Sequence, residues 1–331
     1  MQNSDGIIIL LSYPDTFVRP AYWEHSSKIW PLIGVGKKHA LKAGHAALLL
    51  LQKNKSEINY FDFGRYITSY GNGRLRAKET DPEVAFSIPA KFKNNELLNL
   101  EEILLYLENN PEKTHGDGRL VAGVHEEIDF NKAKLFIHQL LEKKEIPYGA
   151  FIKNGTNCAR FVADIIIASS RNKKISRKLK KLISLTPSPI GNVIKATTNN
   201  KIYHVYKQKI TYYKNRSILK EHKAMFFNSY KGVLNLKGTE VPDLESFELK
   251  EGTWLGGMAS GAWFKIEDKV QTNTYKIARY TVEGKKDFES LFTLNDADFN
   301  PLEAYQFKHP TNCLEVYIQQ KNKTFCFTVK K

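Results

Sequence analysis

The segment NGTNCARFVADIII, residues 154–167, places a cysteine at the start of an apolar helix pattern. Positions 158, 162 and 165 share one face of a helix, so we expect Cys158 to point toward a packed sheet with its apolar neighbours. The first N–H groups of a helix lack partners within it, and they favour a thiolate at that end. Thr156 or Asn157 is a suitable cap. The pattern therefore favours a nucleophilic cysteine over one that only fills space.

A thiolate nucleophile needs a base within hydrogen-bond reach and a third group that orients the base. His45 begins the run HAALLLL, which is apolar on both faces and predicts a central strand. The next strand pattern, INYFDFG, carries Asp62. In a hairpin, His45 and Asp62 share a face when they stand opposite or on a diagonal, and they separate when the register shifts by one residue. The alternatives are a histidine satisfied within the core and a carboxylate that makes only a local hydrogen bond.

Other side chains are candidates for roles around this site. His25 lies in the aromatic segment AYWEHSSKIW and, with Tyr22, is predicted to line a substrate cleft. His115 stands on the Gly-rich turn THGDGR, where substrate binding or a structural role is favoured over general-base chemistry. Asn157, beside the cysteine, is the fourth residue that we expect to contact substrate.

No metal site is predicted. His125 is followed by two glutamates but lacks the HExxH spacing of a zinc helix, and the three cysteines lack CxxC spacing. The tripeptide TNC recurs at residues 311–313, but the residues after Cys313 alternate as a strand does, so that thiol gains no helix dipole. Cys326, within TFCFTV, is expected to pack in a core.

The elements that must position these side chains fall into two groups. Residues 1–197 alternate between strand and helix patterns, and residues 198–331 hold mostly short β patterns separated by turn residues. The predicted class is α+β with a C-terminal, mostly β accessory domain. In the first domain we predict strands over 6–12, 43–52, 58–64, 84–90 and 120–125, and helices from the Asn99 cap to before Pro111, over 131–144, and from Cys158 onward.

The composition is that of a globular protein whose thiols are reduced. Of 331 residues, 42% are hydrophobic and 26% are charged, and three cysteines cannot build a disulfide framework. The N-terminus MQNSDGIIILLSYP lacks the basic start and the long apolar run of a signal peptide, and no stretch approaches the roughly 20 apolar residues of a membrane span. We expect a cytoplasmic protein, and export by a dedicated secretion system is compatible with this pattern.

About half of the formal net charge of +15 comes from one segment, RNKKISRKLKK at residues 171–181, which holds no acid. Its apolar residues recur at helical spacing and predict an amphipathic basic helix. A solvated helix face explains this pattern, and contact with an anionic membrane or polyanion is the alternative. No RRM-like, zinc-finger or helix-turn-helix signature supports sequence-specific nucleic-acid binding. The basic residues concerned are Arg171, Lys173, Lys174, Arg177, Lys178, Lys180 and Lys181.

The order GHAALLL, then YFDFG, then a cysteine at a capped helix start resembles the circularly permuted papain-like hydrolases, which include permuted NlpC/P60 enzymes and lecithin-retinol-acyltransferase-like proteins. In these folds the histidine strand comes first and the cysteine helix closes the core. The segments YPDTFVRPAYWEHSSKIWPLIG and HGDGRLVAG are similar to a bacterial family with this core. The resemblance covers about residues 1–195. It departs from the permuted groups in its aspartate, where they often have histidine or glutamate, and in its C-terminal β domain.

The resemblance implies that Cys158 is the nucleophile, His45 the base and later the general acid, and Asp62 the orienting residue. It predicts a cysteine hydrolase or acyltransferase that acts on an amide (peptide or cell-wall-like) or an ester through an acyl-enzyme. The partner would be a small-molecule or peptide substrate, and no cofactor is implied. The alternatives are an inactive binding protein on the same fold and a basic module that associates with a membrane or polyanion.

Overall fold

The computed structural model describes residues 4–19, 23, 41–185, 188–214, 217–226, 241–242 and 247–330. Contacts divide the chain into two compact units. The first comprises Met1–Phe63, Leu75–Ala77 and Glu83–Leu234, and the second comprises Gly64–Arg74, Lys78–Pro82 and Asn235–Lys331. The architecture is mixed α and β with a C-terminal β unit, as the sequence predicts at that level.

Ten strands lie in the described residues before the C-terminal sheet. They are β1 (Gly6–Tyr13), β2 (His45–Gln52), β3 (Ile58–Gly64), β4 (Asn72–Arg76), β5 (Phe92–Lys93), β6 (Glu96–Leu97), β7 (Leu120–Ile128), β8 (Ile146–Pro147), β9 (Ile202–Tyr206) and β10 (Lys209–Tyr212). Eight of them form one sheet in the order β10-β9-β7-β1-β2-β3-β4-β8, and β5 pairs with β6. Strand β1 is central and pairs antiparallel with both β2 and β7.

Seven α-helices lie in the described part of the chain, and none of them is long and apolar enough to cross a membrane. They are α1 (Leu100–Asn109), α2 (Pro111–Thr114), α3 (Phe130–Glu142), α4 (Cys158–Ser169), α5 (Lys173–Leu185), α6 (Pro189–Ala196) and α7 (Ile218–Phe226). A short 3-10 turn covers Pro82–Val84.

The eight-stranded sheet is buried on both faces, which explains the unbroken apolar runs in its central strands. Even-numbered residues of β1 and β2, such as Ile8 and Leu48, pack in one core with α3, α4, α5 and α6. Odd-numbered residues, such as Ile9 and Leu49, pack in a second core with α1. The strand alternation therefore decides which side chains within β1 and β2 pack against the cysteine helix and which pack against α1. His45 belongs to the odd-numbered set but is the first residue of β2, so it stands at the end of the sheet's packed faces.

One local prediction is wrong and one strand was missed, for identifiable reasons. Residues 84–90 contain no strand, because Pro89 cannot donate to a ladder and the only regular structure there is the end of the 3-10 turn. Strand β4 was not predicted, because its sequence NGRLR combines turn residues with two arginines. Both of those arginines, Arg74 and Arg76, are buried.

The first sheet also continues beyond residue 197, the predicted end of the first domain. Strand β9 pairs antiparallel with β7, with His204 opposite Val121, and β10 pairs with β9. The apolar side chains of Ile202 and Val205 are buried in this arrangement. These two strands have the short β pattern of the C-terminal region, so their pairing partner was not visible in the sequence.

The C-terminal unit contains a seven-stranded antiparallel sheet, in agreement with the mostly β prediction. Its strand order is β11-β12-β13-β14-β17-β16-β15, and its core is rich in phenylalanine, including Phe264, Phe292 and Phe327. The strands are β11 (Thr253–Leu255), β12 (Ala262–Gln271), β13 (Thr274–Tyr280), β14 (Lys286–Thr293), β15 (Gln306–Lys308), β16 (Glu315–Gln320) and β17 (Lys323–Val329).

A buried ion pair joins two segments that the second unit takes from the N-terminal part of the chain. The Arg74 guanidinium donates to both carboxylate oxygens of Asp81 at 2.5 and 2.6 Å, and its Nε donates to the Tyr66 carbonyl at 2.7 Å. Thr80 Oγ1 also donates to Asp81, at 2.8 Å. Because both charges are buried and have lost their hydration, each is stabilised mainly by the opposite charge of the other.

We expect Asp81→Ala to lower the free energy of unfolding of this unit by about 3–5 kcal/mol, because Arg74 would keep a buried charge without its carboxylate. Urea denaturation measures the loss. Asp298→Ala is the matched control, since Asp298 pairs with Lys323 at 2.6 Å but is exposed, and its denaturation midpoint should barely move. Equal losses in the two variants would contradict this account.

Candidate active site

The structure brings together the three residues predicted to carry chemistry. His45 Nε2 lies 3.1 Å from Asp62 Oδ2, and the His45 ring also hydrogen-bonds with the Cys158 side chain. The exposed fractions of His45, Asp62 and Cys158 are 6%, 0% and 8%. Since Nε2 is used by the carboxylate, the other ring nitrogen, Nδ1, is the one available to the sulfur. The imidazole thus contacts the carboxylate on one side and the thiol on the other.

The sheet register places His45 and Asp62 on the same face. Ala47 pairs with Asp62 across β2 and β3, so His45, two residues before Ala47, is diagonal to Asp62. This is one of the two registers that the sequence allowed for contact. His45 is the first residue of β2 and Cys158 is the first residue of α4. The thiol and the imidazole therefore meet where both elements begin.

The start of α4 is held by its own cap. Asn157 is extended, and its side-chain oxygen accepts from the Arg160 N–H at 2.8 Å. The preceding loop is closed by a bridge between Tyr148 and Thr156, and the Arg160 guanidinium donates to the Ala150 carbonyl at 2.6 Å. These contacts fix the backbone on both sides of the thiol. Asn157 acts as the cap, and its contact with substrate stays a prediction.

Asp62 is held by more than the histidine. Arg76 Nε donates to Oδ1 at 2.9 Å and Arg76 Nη2 donates to Oδ2 at 2.6 Å, while the Tyr60 hydroxyl donates to Oδ2 at 2.9 Å. Arg76 Nη2 also donates to the Lys113 carbonyl at 3.0 Å. Both carboxylate oxygens are therefore occupied, and the carboxylate cannot turn away from the imidazole.

These contacts set the charges at the site. Burial alone would raise the pKa of Asp62, but the Arg76 guanidinium and the His45 hydrogen bond hold that pKa far below its usual range. Burial works against protonation of His45, yet its hydrogen bonds to Asp62 and Cys158 raise the pKa of the imidazole to about 9. At neutral pH His45 is thus an imidazolium, and both the Asp62 carboxylate and the Cys158 sulfur stabilise its positive charge.

Tyr60 and Arg76 were missed by reasoning from the sequence. Their signal was present as strict alternation: NYFDF places Tyr60 on the face of Asp62, and GRLRA places Arg74 and Arg76 on one face of a five-residue strand. A strand with two inward arginines beside a strand with an inward aspartate predicts a buried ion pair.

Other predicted site residues have different outcomes. His115 is exposed and ends α2, and its turn borders the site: Gly116 packs so closely on Tyr13 that a Cβ would stand 2.2 Å from the ring. Tyr13 is the direct β1 partner of His45. In the same turn, partial burial raises the pKa of Asp117 and the nearby charge of His45 opposes the rise. Tyr22 and His25 lie outside the described residues.

The remaining histidine and cysteine candidates are separate from this site. His125 is fully buried and hydrogen-bonds with the Ala196 carbonyl at 2.6 Å and the Ser170 hydroxyl at 2.8 Å, as a core histidine does. Cys313 is buried. Cys326 is exposed rather than packed, because Phe325 and Phe327 on either side of it face the core of the C-terminal sheet. Within the described ranges no cluster of His, Cys, Asp and Glu could hold a metal ion.

We expect Asp62→Asn to lower the pKa of His45 from about 9 toward or below the unperturbed value of about 6.5, because burial then outweighs the remaining favourable contacts. An NMR titration of the imidazole resonances measures the change. Asp164→Asn, on the cysteine helix but not among the groups that shift His45, should leave the titration unaltered. A His45 pKa near 9 in both variants would contradict the assigned role of the carboxylate.

Comparison with known proteins gives a family for the N-terminal part of the chain. Residues 8–175 match the profile of a family described as type VI secretion system effector TseH-like, and residues 252–330 match a DUF6695 C-terminal domain. No curated protein matches. The crystal structure of the type VI secretion system effector TseH is similar at 16% identity, with 64% of this chain and 100% of that chain covered and a TM-score of 0.39. Since the first profile spans about half of the sequence, the protein belongs to the TseH-like family of type VI secretion system effectors.

Proposed function

We propose that this protein is a cysteine-dependent amide hydrolase in which Cys158 is the nucleophile, His45 the proton carrier and Asp62 the orienting residue. The observation that supports it most is that His45 interacts with both the buried Asp62 carboxylate and a thiol at a helix start. This is the constellation that activates a cysteine for attack on a carbonyl. Structural packing alone would not require a cysteine and a charged histidine to meet there.

The order of the elements supports a permuted papain-like core. The histidine opens β2, the carboxylate follows on β3, and the cysteine helix α4 comes later and packs on β2 in the same core. Family membership places the chain among effector proteins without naming a reaction. The permuted papain-like assignment is therefore our interpretation of the element order together with the site geometry.

In acylation, the Cys158 sulfur attacks the carbonyl carbon of the substrate, and a C–S bond forms as the C–N bond breaks. The His45 imidazolium gives its proton to the departing nitrogen, which leaves as an amine. In deacylation, neutral His45 takes a proton from water, the hydroxide oxygen bonds to the thioester carbon, and the C–S bond breaks to restore the thiolate. A different nucleophile in place of water would make the product of acyl transfer.

The backbone N–H of Cys158 is the donor that we assign to the carbonyl oxygen when it becomes negatively charged. The first-turn N–H groups of a helix are not used by the helix itself. In α4 the Asn157 side-chain oxygen accepts a hydrogen bond from the Arg160 N–H, and the Asn157 carbonyl accepts one from the Phe161 N–H. The N–H of Cys158 precedes both and lies at the reacting atom, where an oxyanion donor is needed.

Arg76 and Tyr60 act on the reaction through Asp62. Their hydrogen bonds keep the carboxylate ionised and fixed, and the carboxylate in turn holds the His45 ring through Nε2, which leaves Nδ1 for the sulfur. A neutral or rotated carboxylate would release the ring, so these residues set the fraction of protein in the reactive geometry.

The substrate class that we propose is an amide of peptide or cell-wall-like type. The family description supports delivery of the protein by a type VI secretion system, so the substrate would lie in the cell that receives it. We also propose that the C-terminal sheet binds the substrate or a partner.

Intact-mass spectrometry of the protein incubated with a panel of peptide amides and esters tests the proposal. We expect a trapped acyl adduct on Cys158, no adduct in Cys158→Ala, and acylation slowed on the order of 10²–10⁴-fold in His45→Gln, because general acid–base catalysis contributes that much. Cys313→Ser is the matched control and should acylate normally. Substrate binding without adduct or turnover across the panel would favour an inactive binding protein instead.

A further inference from the structure

Helix α5 presents a concentrated set of exposed cations outside the site. Its sequence, KKISRKLKKLISL, contains no acidic residue and no aromatic residue. Ile175 and Leu179 are 7% and 0% exposed and pack in the core with α4 and α6. The exposed cations are Lys173, Lys174, Arg177, Lys178, Lys180 and Lys181.

The six cations lie on one side of the helix. At about 100° per residue they fall within an arc of about 160°, and at 1.5 Å per residue they span about 12 Å along the axis. The buried side chains occupy the opposite arc. Six charges therefore lie within little more than one Debye length of each other, so their fields add at any surface that they approach.

The charges are also unneutralised within the described part of the chain. None of the six has a carboxylate within ion-pair distance there, and the polar contact made by Arg177 is a hydrogen bond from its Nε to the Lys173 carbonyl, within the helix. Arg171, just before the helix, behaves differently: it is half-buried and pairs with Asp129 at 3.2 Å. We therefore exclude Arg171 from the basic face, although the sequence grouped it with the others.

We propose that the basic face of α5, defined by these six residues, docks on the surface of an anionic lipid bilayer. A row of mutually repelling cations without acids is complementary to a plane of phosphate groups, and each cation near such a plane raises the partition coefficient about fivefold. The apolar side of α5 is occupied by the protein core, so the contact is electrostatic and the helix does not insert.

The composition of the face favours a lipid surface over other anionic partners. Five of its six residues are lysine, which carries a point charge without the planar fork that Arg uses to select carboxylates, and lysine is depleted at protein–protein interfaces. Single-stranded nucleic acid is bound with aromatic side chains between the cations, and α5 has none. The inference is independent of the chemistry at Cys158.

Co-sedimentation of the full chain with vesicles tests the proposal. We expect binding to phosphatidylcholine vesicles that contain phosphatidylglycerol at about 50 mM salt, loss of binding at about 500 mM salt, and no binding to phosphatidylcholine alone. A quadruple variant should lower the partition coefficient roughly 600-fold, the product of four fivefold steps. Its substitutions are Lys173→Gln, Lys174→Gln, Arg177→Gln and Lys178→Gln.

A matched control removes the same number of charges from scattered exposed lysines of the first unit, and its partition coefficient should change less than about fivefold. Its substitutions are Lys134→Gln, Lys143→Gln, Lys201→Gln and Lys209→Gln. A third variant keeps charge on α5 and should bind as the unmodified protein does, which separates loss of charge from loss of fold. Its substitutions are Lys173→Arg, Lys174→Arg and Lys178→Arg.

Three outcomes would overturn the proposal. The first is equal loss in the α5 variant and the scattered control, which would make binding a matter of net charge. The second is absence of binding to anionic vesicles at low salt. The third is tighter binding to a soluble polyanion, such as duplex DNA, than to the vesicles under the same salt conditions, which would assign the basic face to a nucleic acid.

Discussion

The site depends on the hydrogen bonds and the ion pair that the buried Asp62 carboxylate makes. A carboxylate with no exposed surface stays ionised only if hydrogen-bond donors or an opposite charge compensate for its lost hydration. Arg76, Tyr60 and His45 all donate to it. Because Arg76 supplies two hydrogen bonds and a full positive charge, the carboxylate keeps its own charge. That charge in turn holds His45 as an imidazolium of fixed orientation beside the sulfur.

The sheet supplies this arrangement with few elements. Adjacent strands β2, β3 and β4 contribute His45, then Tyr60 and Asp62, then Arg76, and α4 contributes the thiol from its first turn. Each of these strands is otherwise apolar or packed, so the polar residues are held by their neighbours and by the backbone register.

Much of this geometry follows from local sequence patterns, and the rest does not. Strand alternation allowed His45 and Asp62 to share one face in two of the possible registers, and the cap with its apolar helix placed Cys158 at a helix start. Alternation could not choose between the opposite and the diagonal register, because both obey the same period. Arg76 was missed because β4 contains polar residues typical of turns, and its partner becomes evident only when β3 and β4 are known to be adjacent. The meeting of α4 with the start of β2 depends on long-range packing that no local period encodes.

The rate of alkylation of Cys158 by iodoacetamide as a function of pH tests the central claim most directly. A Cys326→Ser background removes the exposed thiol that would otherwise react. If the imidazolium of His45 supports a thiolate, Cys158 should react at full rate well below pH 8.5, the usual thiol pKa being about that value, and His45→Ala should abolish the low-pH reaction. A rate that rises only near pH 8.5, unchanged by His45→Ala, would contradict the account.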